Sequence, residues 1–132
     1  MDMVLFACVH NAGRSQMAAA WFNKLCDRTK ATAVSAGTEP GERVHPEVVQ
    51  VMKEEGIDLA NVKPQFLSTE LAQTATLLVT MGCGDACPHV PGLTKLDWPL
   101  VDPKGQRIEI VRNIRDEIRE RVVTLAAERN WL

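Results

Sequence analysis

Eight residues near the start of the chain, Cys8-Val9-His10-Asn11-Ala12-Gly13-Arg14-Ser15, set a nucleophile, a cation and a hydroxyl at fixed spacing. Sulfur reacts as the thiolate, so a reactive cysteine needs electropositive surroundings. Arg14 offers a planar fork that can grip two oxygens of one anion. The Ser15 hydroxyl can donate a hydrogen bond to the ionised sulfur. Just upstream, Met3 to Cys8 is a short apolar run that reads as a buried strand. Downstream, Ser15 to about Cys26 reads as a helix, with Met17, Ala18, Trp21, Phe22 and Leu25 on one apolar face.

That junction explains why the spacing matters. The first turn of a helix leaves backbone N–H groups unpaired, and its aligned dipoles add about half a positive charge. A tight loop can turn its own N–H groups inward as well. Val9, His10, Asn11, Ala12, Gly13, Arg14 and Ser15 are therefore expected to form a cradle for a tetrahedral oxyanion, with Cys8 facing its centre. Gly13 is expected to let the backbone approach the ligand. Asn11 tolerates a left-handed conformation and can brace the loop with its amide. The plainer alternative makes Cys8 a small buried hydrophobe and Arg14 a surface charge. The strand, the adjacent serine and the helix start together favour the cradle.

Two further stretches carry chemistry. Asp102 precedes Pro103, which restricts it to extended conformations; on its own it could be a simple turn carboxylate. In MGCGDACP, Cys83 and Cys87 stand four positions apart, in a loop that also holds Gly82 and Gly84. On a helix such a pair lies about 6 Å apart at Cα, within reach of a disulfide. Alternatives are a zinc site completed by His89 and His10, or two unrelated core cysteines. Cys26 reads as packing or surface.

The elements that must hold these residues follow from pattern. Thr32 to Ser35 is a second short strand, stopped by Gly37. A helix opens at Pro46, buries Val48, Val49 and Met52, and closes at Gly56. Ala75 to Met81 is a continuous apolar strand, and Leu93 to Trp98 a shorter one. Val111, Ile114, Ile118, Val122 and Leu125 form a stripe on a long C-terminal helix. Strands alternating with helices imply a parallel sheet covered on both faces, with the site at the carboxyl ends of its strands. Cys8, Cys83 and Asp102 would meet at that edge.

Composition narrows the function classes. The 132 residues, 45% of them apolar and 24% charged, suit one domain over 1–132. A formal charge of −2 provides no field for nucleic acid and no polybasic patch for a membrane. No apolar run approaches membrane-spanning length and no signal peptide is evident, so a cytoplasmic setting is expected. There, the four cysteines are expected to be thiols and not structural staples.

CVHNAGRSQMA, SAGTEP, GIDL, LVTMGCGDACP and DWPLVDPKG occur in this order along nearly the whole chain. Together they resemble the low-molecular-weight protein tyrosine phosphatase family, and more closely the arsenate reductases built on that fold. The resemblance implies an α/β fold, a four-stranded parallel sheet flanked by helices. It implies Cys8 as nucleophile and Asp102 as general acid, with Arg14 and Ser15 in the catalytic loop. It also implies a relay from Cys8 to Cys83 to Cys87, drained by thioredoxin or another redoxin or thiol. Arsenate would be the substrate and phosphate or sulfate its analogue; no cofactor and no metal are implied. The electron count agrees, since reducing arsenate to arsenite takes two electrons and closing one disulfide releases two.

The chain departs from its relatives in places. Phosphatases of this family usually carry a second loop cysteine where Ala12 stands, proline where Gln16 stands, and tyrosines after the Asp-Pro. This chain has no tyrosine. Ala19 and Gln65 stand where many thioredoxin-linked reductases carry acidic potassium ligands, so no potassium site is expected. Some relatives with a similar loop draw electrons from mycothiol or glutathione with a redoxin, in which case Cys8 suffices. The competing functions are a hydrolytic phosphatase and a non-enzymatic thiol sensor of arsenite or zinc.

Overall fold

The structure is a computed structural model describing residues 1–82 and 90–132. Cys83, Cys87 and His89, with the relay and zinc-site expectations placed on them, lie outside the described residues.

Four strands form one parallel sheet: β1 (Asp2–Cys8), β2 (Ala31–Gly37), β3 (Leu77–Thr80) and β4 (Thr94–Asp97), in spatial order β2-β1-β3-β4. The helices are α1 (Arg14–Leu25), α2 (Pro46–Lys53), α3 (Thr69–Gln73) and α4 (Ile108–Glu128). The expected architecture is therefore present. Strand order reverses between β1 and β3, and in open parallel sheets that switch point is where ligands bind, beyond the carboxyl ends. Cys8 is the last residue of β1, so it stands at that crevice.

Alternation along β1 sorts the core into two layers. Val4, Phe6 and Cys8 face the larger one, shared with Met17, Phe22, Val48, Ile118 and Val122. Leu5 and Ala7 face a smaller one with Leu67, Ala72 and Leu78. All five residues of the expected α4 stripe are buried. Fully burying a side chain of this size contributes about 1.5–3 kcal/mol, which makes the stripe the main anchor of α4.

Several boundaries differ from the sequence reading. β2 begins at Ala31 and continues through Gly37, because Gly37 pairs with Cys8 on one side and bridges Phe66 on the other. A Cβ at Gly37 would lie 2.5 Å from the Val9 carbonyl oxygen, so the strand needs glycine for space. β3 is shorter than expected, and α2 ends at Lys53, with Gly56 at φ +78 in the turn beyond. Within α2, Val51 is buried and Val49 only partly so. The sequence reading does not include α3; Ser68 caps it, its hydroxyl accepting from the Leu71 N–H at 3.0 Å.

Candidate active site

The loop after β1 is shaped by where its carbonyls go. Thr38 N–H donates to the Cys8 carbonyl at 3.3 Å, Glu39 N–H to Val9 at 2.8 Å, and Gly41 N–H to His10 at 2.9 Å. His45 N–H donates to Ala12 at 2.9 Å, and Met17 N–H to Gly13 at 3.0 Å. The Gln16 side chain takes the remaining carbonyl, that of Asn11, at 3.0 Å. Every carbonyl from Cys8 to Gly13 thus accepts a bond. The N–H groups of Val9 to Ser15 have no backbone acceptor among the described residues. A loop with all its acceptors satisfied and its donors free is an anion nest, set here against the N-terminus of α1.

Cys8 is 3% exposed and its sulfur lies 2.8 Å from the Ser15 hydroxyl oxygen. Asn11 adopts φ 50, the left-handed conformation expected of it. Its Nδ2 donates to the Ser15 oxygen at 2.8 Å. Because that oxygen already accepts a bond, the hydroxyl proton is free to point at the sulfur. A donor on the sulfur stabilises its ionised form.

Arg14 is no surface charge: its side chain is 11% exposed. One nitrogen, Nη1, donates to the Leu100 carbonyl at 3.2 Å, and Nη2 stands 3.7 Å from the Asp102 carboxylate. Asp102 is half-exposed and accepts from the Lys104 N–H at 3.0 Å, an Asx turn that leaves its other oxygen toward Arg14. Pro103 is buried and packs on Gly13, where a Cβ would meet the proline ring at 2.9 Å. Glycine at 13 therefore makes room for the Asp102–Pro103 turn, a role the sequence reading does not give it. Gly82, just past β3, lies against the Arg14 guanidinium. Three pieces of chain converge on Arg14: the loop after β1, Gly82 just past β3 and the turn after β4; Cys83, expected at this edge, lies outside the described residues.

His10 sits at the rim and its Nδ1 donates to the Glu39 carbonyl at 3.0 Å. His45 lies against Gly13, its proton affinity lowered chiefly by burial; Asp102 and Glu47 pull the other way. Cys26 is buried at the end of α1, away from this cluster, and burial pushes its thiol up. Sequence reading assigns no role to Gln16, Gln65 or His45 in the loop, because their contacts with it depend on the folded chain. Gln65 donates from its backbone to Asn11 Oδ1 at 2.9 Å and from its side chain to the Ser35 carbonyl at 2.8 Å.

Residues 3–130 match the model of the low molecular weight phosphotyrosine protein phosphatase family. A Halobacterium salinarum protein with a provisional arsenate-reductase name is 42% identical, over 95% of this chain and 91% of its own. The Synechocystis glutaredoxin arsenate reductase is 34% identical, over 97% and 98%. Among solved structures, the Corynebacterium glutamicum thioredoxin-dependent arsenate reductase superposes with TM-score 0.83 at 35% identity, over 97% of this chain and 61% of that one. The Cys8 loop, the Asp102 turn and the sheet that joins them thus sit in a chain that belongs to the low molecular weight phosphotyrosine protein phosphatase family.

Proposed function

We propose that this chain is an arsenate reductase that works through Cys8. The observation that carries the proposal is the outward satisfaction of every loop carbonyl, which leaves the N–H groups and the Ser15 hydroxyl to serve an anion and a thiolate. The names of its relatives support the substrate.

In the proposed reaction, arsenate sits on the Val9–Ser15 N–H groups with Arg14 gripping its oxygens. The Cys8 thiolate attacks arsenic, Asp102 protonates the departing oxygen, and water leaves behind a sulfur–arsenic adduct. Cys83 then attacks the Cys8 sulfur. A disulfide forms, the sulfur–arsenic bond breaks, and its electron pair leaves with arsenic as arsenite. Cys87 attacks the Cys83 sulfur, frees Cys8 and closes a Cys83–Cys87 disulfide, which a redoxin reduces. The relatives' names include both thioredoxin and glutaredoxin, and the internal relay favours thioredoxin. A cytoplasmic, reducing setting belongs to this proposal; no described helix is long and apolar enough to cross a membrane.

The test is arsenate-dependent NADPH consumption with thioredoxin and its reductase, run beside a glutaredoxin or mycoredoxin system. Turnover that Cys8→Ser abolishes is expected. Cys87→Ser should complete a single round and then stall; unchanged steady-state turnover would overturn the relay and point to a small-thiol reductant. Hydrolysis of p-nitrophenyl phosphate without thiols, far faster than arsenate reduction, would reassign the chain to the phosphatases.

A further inference from the structure

Gln16 is 5% exposed and lies one residue beyond the loop. Its Nε2 donates to two acceptors of Asn11, the backbone carbonyl at 3.0 Å and Oδ1 at 3.1 Å. The Gln65 N–H reaches the same Oδ1 at 2.9 Å. Two N–H donors on one oxygen fix which way the Asn11 amide faces. Oδ1 points to Gln16 and Gln65, so Nδ2 points to Ser15, where it donates at 2.8 Å.

That orientation decides the far end of the chain of bonds. A serine hydroxyl has one proton. With its oxygen accepting from Asn11, the proton is free to serve an ionised Cys8 sulfur, 2.8 Å away. With the amide reversed, Oδ1 would face Ser15 and take that proton, leaving the sulfur beside a lone pair. We propose that Gln16 is a positioning residue for Cys8: its amide N–H polarises the sequence Asn11, Ser15, Cys8 so that it ends in a donor on the sulfur. The proposal rests on Cys8 being the nucleophile. Of the two donors on Asn11 Oδ1, the one from Gln65 is main-chain and survives most substitutions there. Gln16 is the donor that side-chain identity controls. It bonds to neither the sulfur nor any cradle N–H, and it acts through the two oxygens of Asn11.

The test measures alkylation of Cys8 by iodoacetamide from about pH 5 to 9, with and without inorganic phosphate, the modified residue assigned by peptide mass spectrometry. Gln16→Glu keeps the length but sets acceptors against both Asn11 oxygens, which favours the reversed amide. Gln16→Met removes the donor and leaves Gln65 in place. The expected order of reactivity at acidic pH is wild type, then Gln16→Met, then Gln16→Glu, the last lowered about tenfold or more, as for a lost hydrogen bond to a charged group. Phosphate should still protect Cys8 in both variants, because the loop N–H groups and Arg14 remain. Profiles that coincide with wild type overturn the proposal, as does a loss that tracks melting temperature and does not change with pH. If Gln16→Glu does not fold, the Gln16→Met profile decides alone. A wild-type Cys8 that phosphate fails to protect would instead sink the reading of the site, and this inference with it.

Discussion

The Arg14 guanidinium and the Asp102 carboxylate face each other 3.7 Å apart across the mouth of the anion loop. The cation proposed to grip the anion and the proposed acid are thus held in one cluster. Asp102→Asn keeps the turn, since its side-chain oxygen can still accept from Lys104 N–H. It removes a negative charge from the mouth and removes the proton donor. Phosphate should bind the variant at least as tightly as wild type, while kcat for arsenate falls by about a hundredfold or more, in the range of general acid catalysis. Competitive inhibition by phosphate and steady-state turnover read the two effects separately. Weakened phosphate binding with an intact kcat would deny Asp102 the role of acid.

The residues that sequence makes legible are those whose partners are close along the chain. Cys8, Arg14 and Ser15 belong to one strand–loop–helix unit, so their spacing carries the geometry. The α4 stripe and β1 are visible because each is long or apolar enough to show its period. Gln65 and His45 are not, because each acts on the loop through a contact that exists only after folding; Gln16 is close to Asn11 along the chain, but nothing in the pattern of a first helical turn marks its side chain as reaching back to both Asn11 oxygens. Gln65 reaches Asn11 from 54 residues away. The helix α3 escapes notice because five residues are too few to show a stripe, and only the Ser68 cap signals it. The β2 boundary differs because Gly37 ordinarily ends a strand, whereas here Phe66 supplies an extra bridge.

Gly82 offers a way to disturb the proposed anion grip without replacing a charged residue. Its φ is +94, and a Cβ there would lie 2.7 Å from Arg14 Nη1. Gly82→Ala should cost about 1–3 kcal/mol in backbone strain. Arg14 is flexible enough to yield, but yielding breaks its bond to the Leu100 carbonyl and moves the fork. Phosphate inhibition should weaken by about tenfold, the equivalent of one lost charged hydrogen bond, and the melting temperature should fall by several degrees. Wild-type inhibition in the variant would mean that the guanidinium position is not what holds the anion.

His45 should shape the acid limb of stability. Burial lowers its proton affinity below the ordinary 6.5, with Lys104 and His10 adding to the effect and Asp102 and Glu47 opposing it. The unfolded chain therefore takes up this proton more readily than the folded one. The contribution of His45 is complete above the ordinary histidine value and is lost as pH falls from there through the lowered value of the folded chain. His45→Gln should flatten the dependence of unfolding free energy on pH between about 7.5 and 5. Urea unfolding at several pH values checks this, and an unchanged slope would place the acid sensitivity elsewhere.

Asn23, on α1, closes the outer edge of β2 with both ends of its amide. Oδ1 accepts from the Ala33 N–H at 2.9 Å, and Nδ2 donates to the Ala33 carbonyl at 2.9 Å. The side chain thereby takes the place of a neighbouring strand for one residue and ties α1 to the sheet. Asn23→Ala strips both bonds from an edge that is otherwise a template for another chain. Unfolding free energy should drop by roughly 1–3 kcal/mol, and light scattering on heating should begin earlier. The Cys8 loop is braced from Gln16, Gln65 and the segment from Thr38 to His45, none of which Asn23 holds. Alkylation of Cys8 in the folded variant should therefore match wild type. A slowed reaction at that thiol would instead show that the β2 edge and the anion loop are mechanically joined through α1.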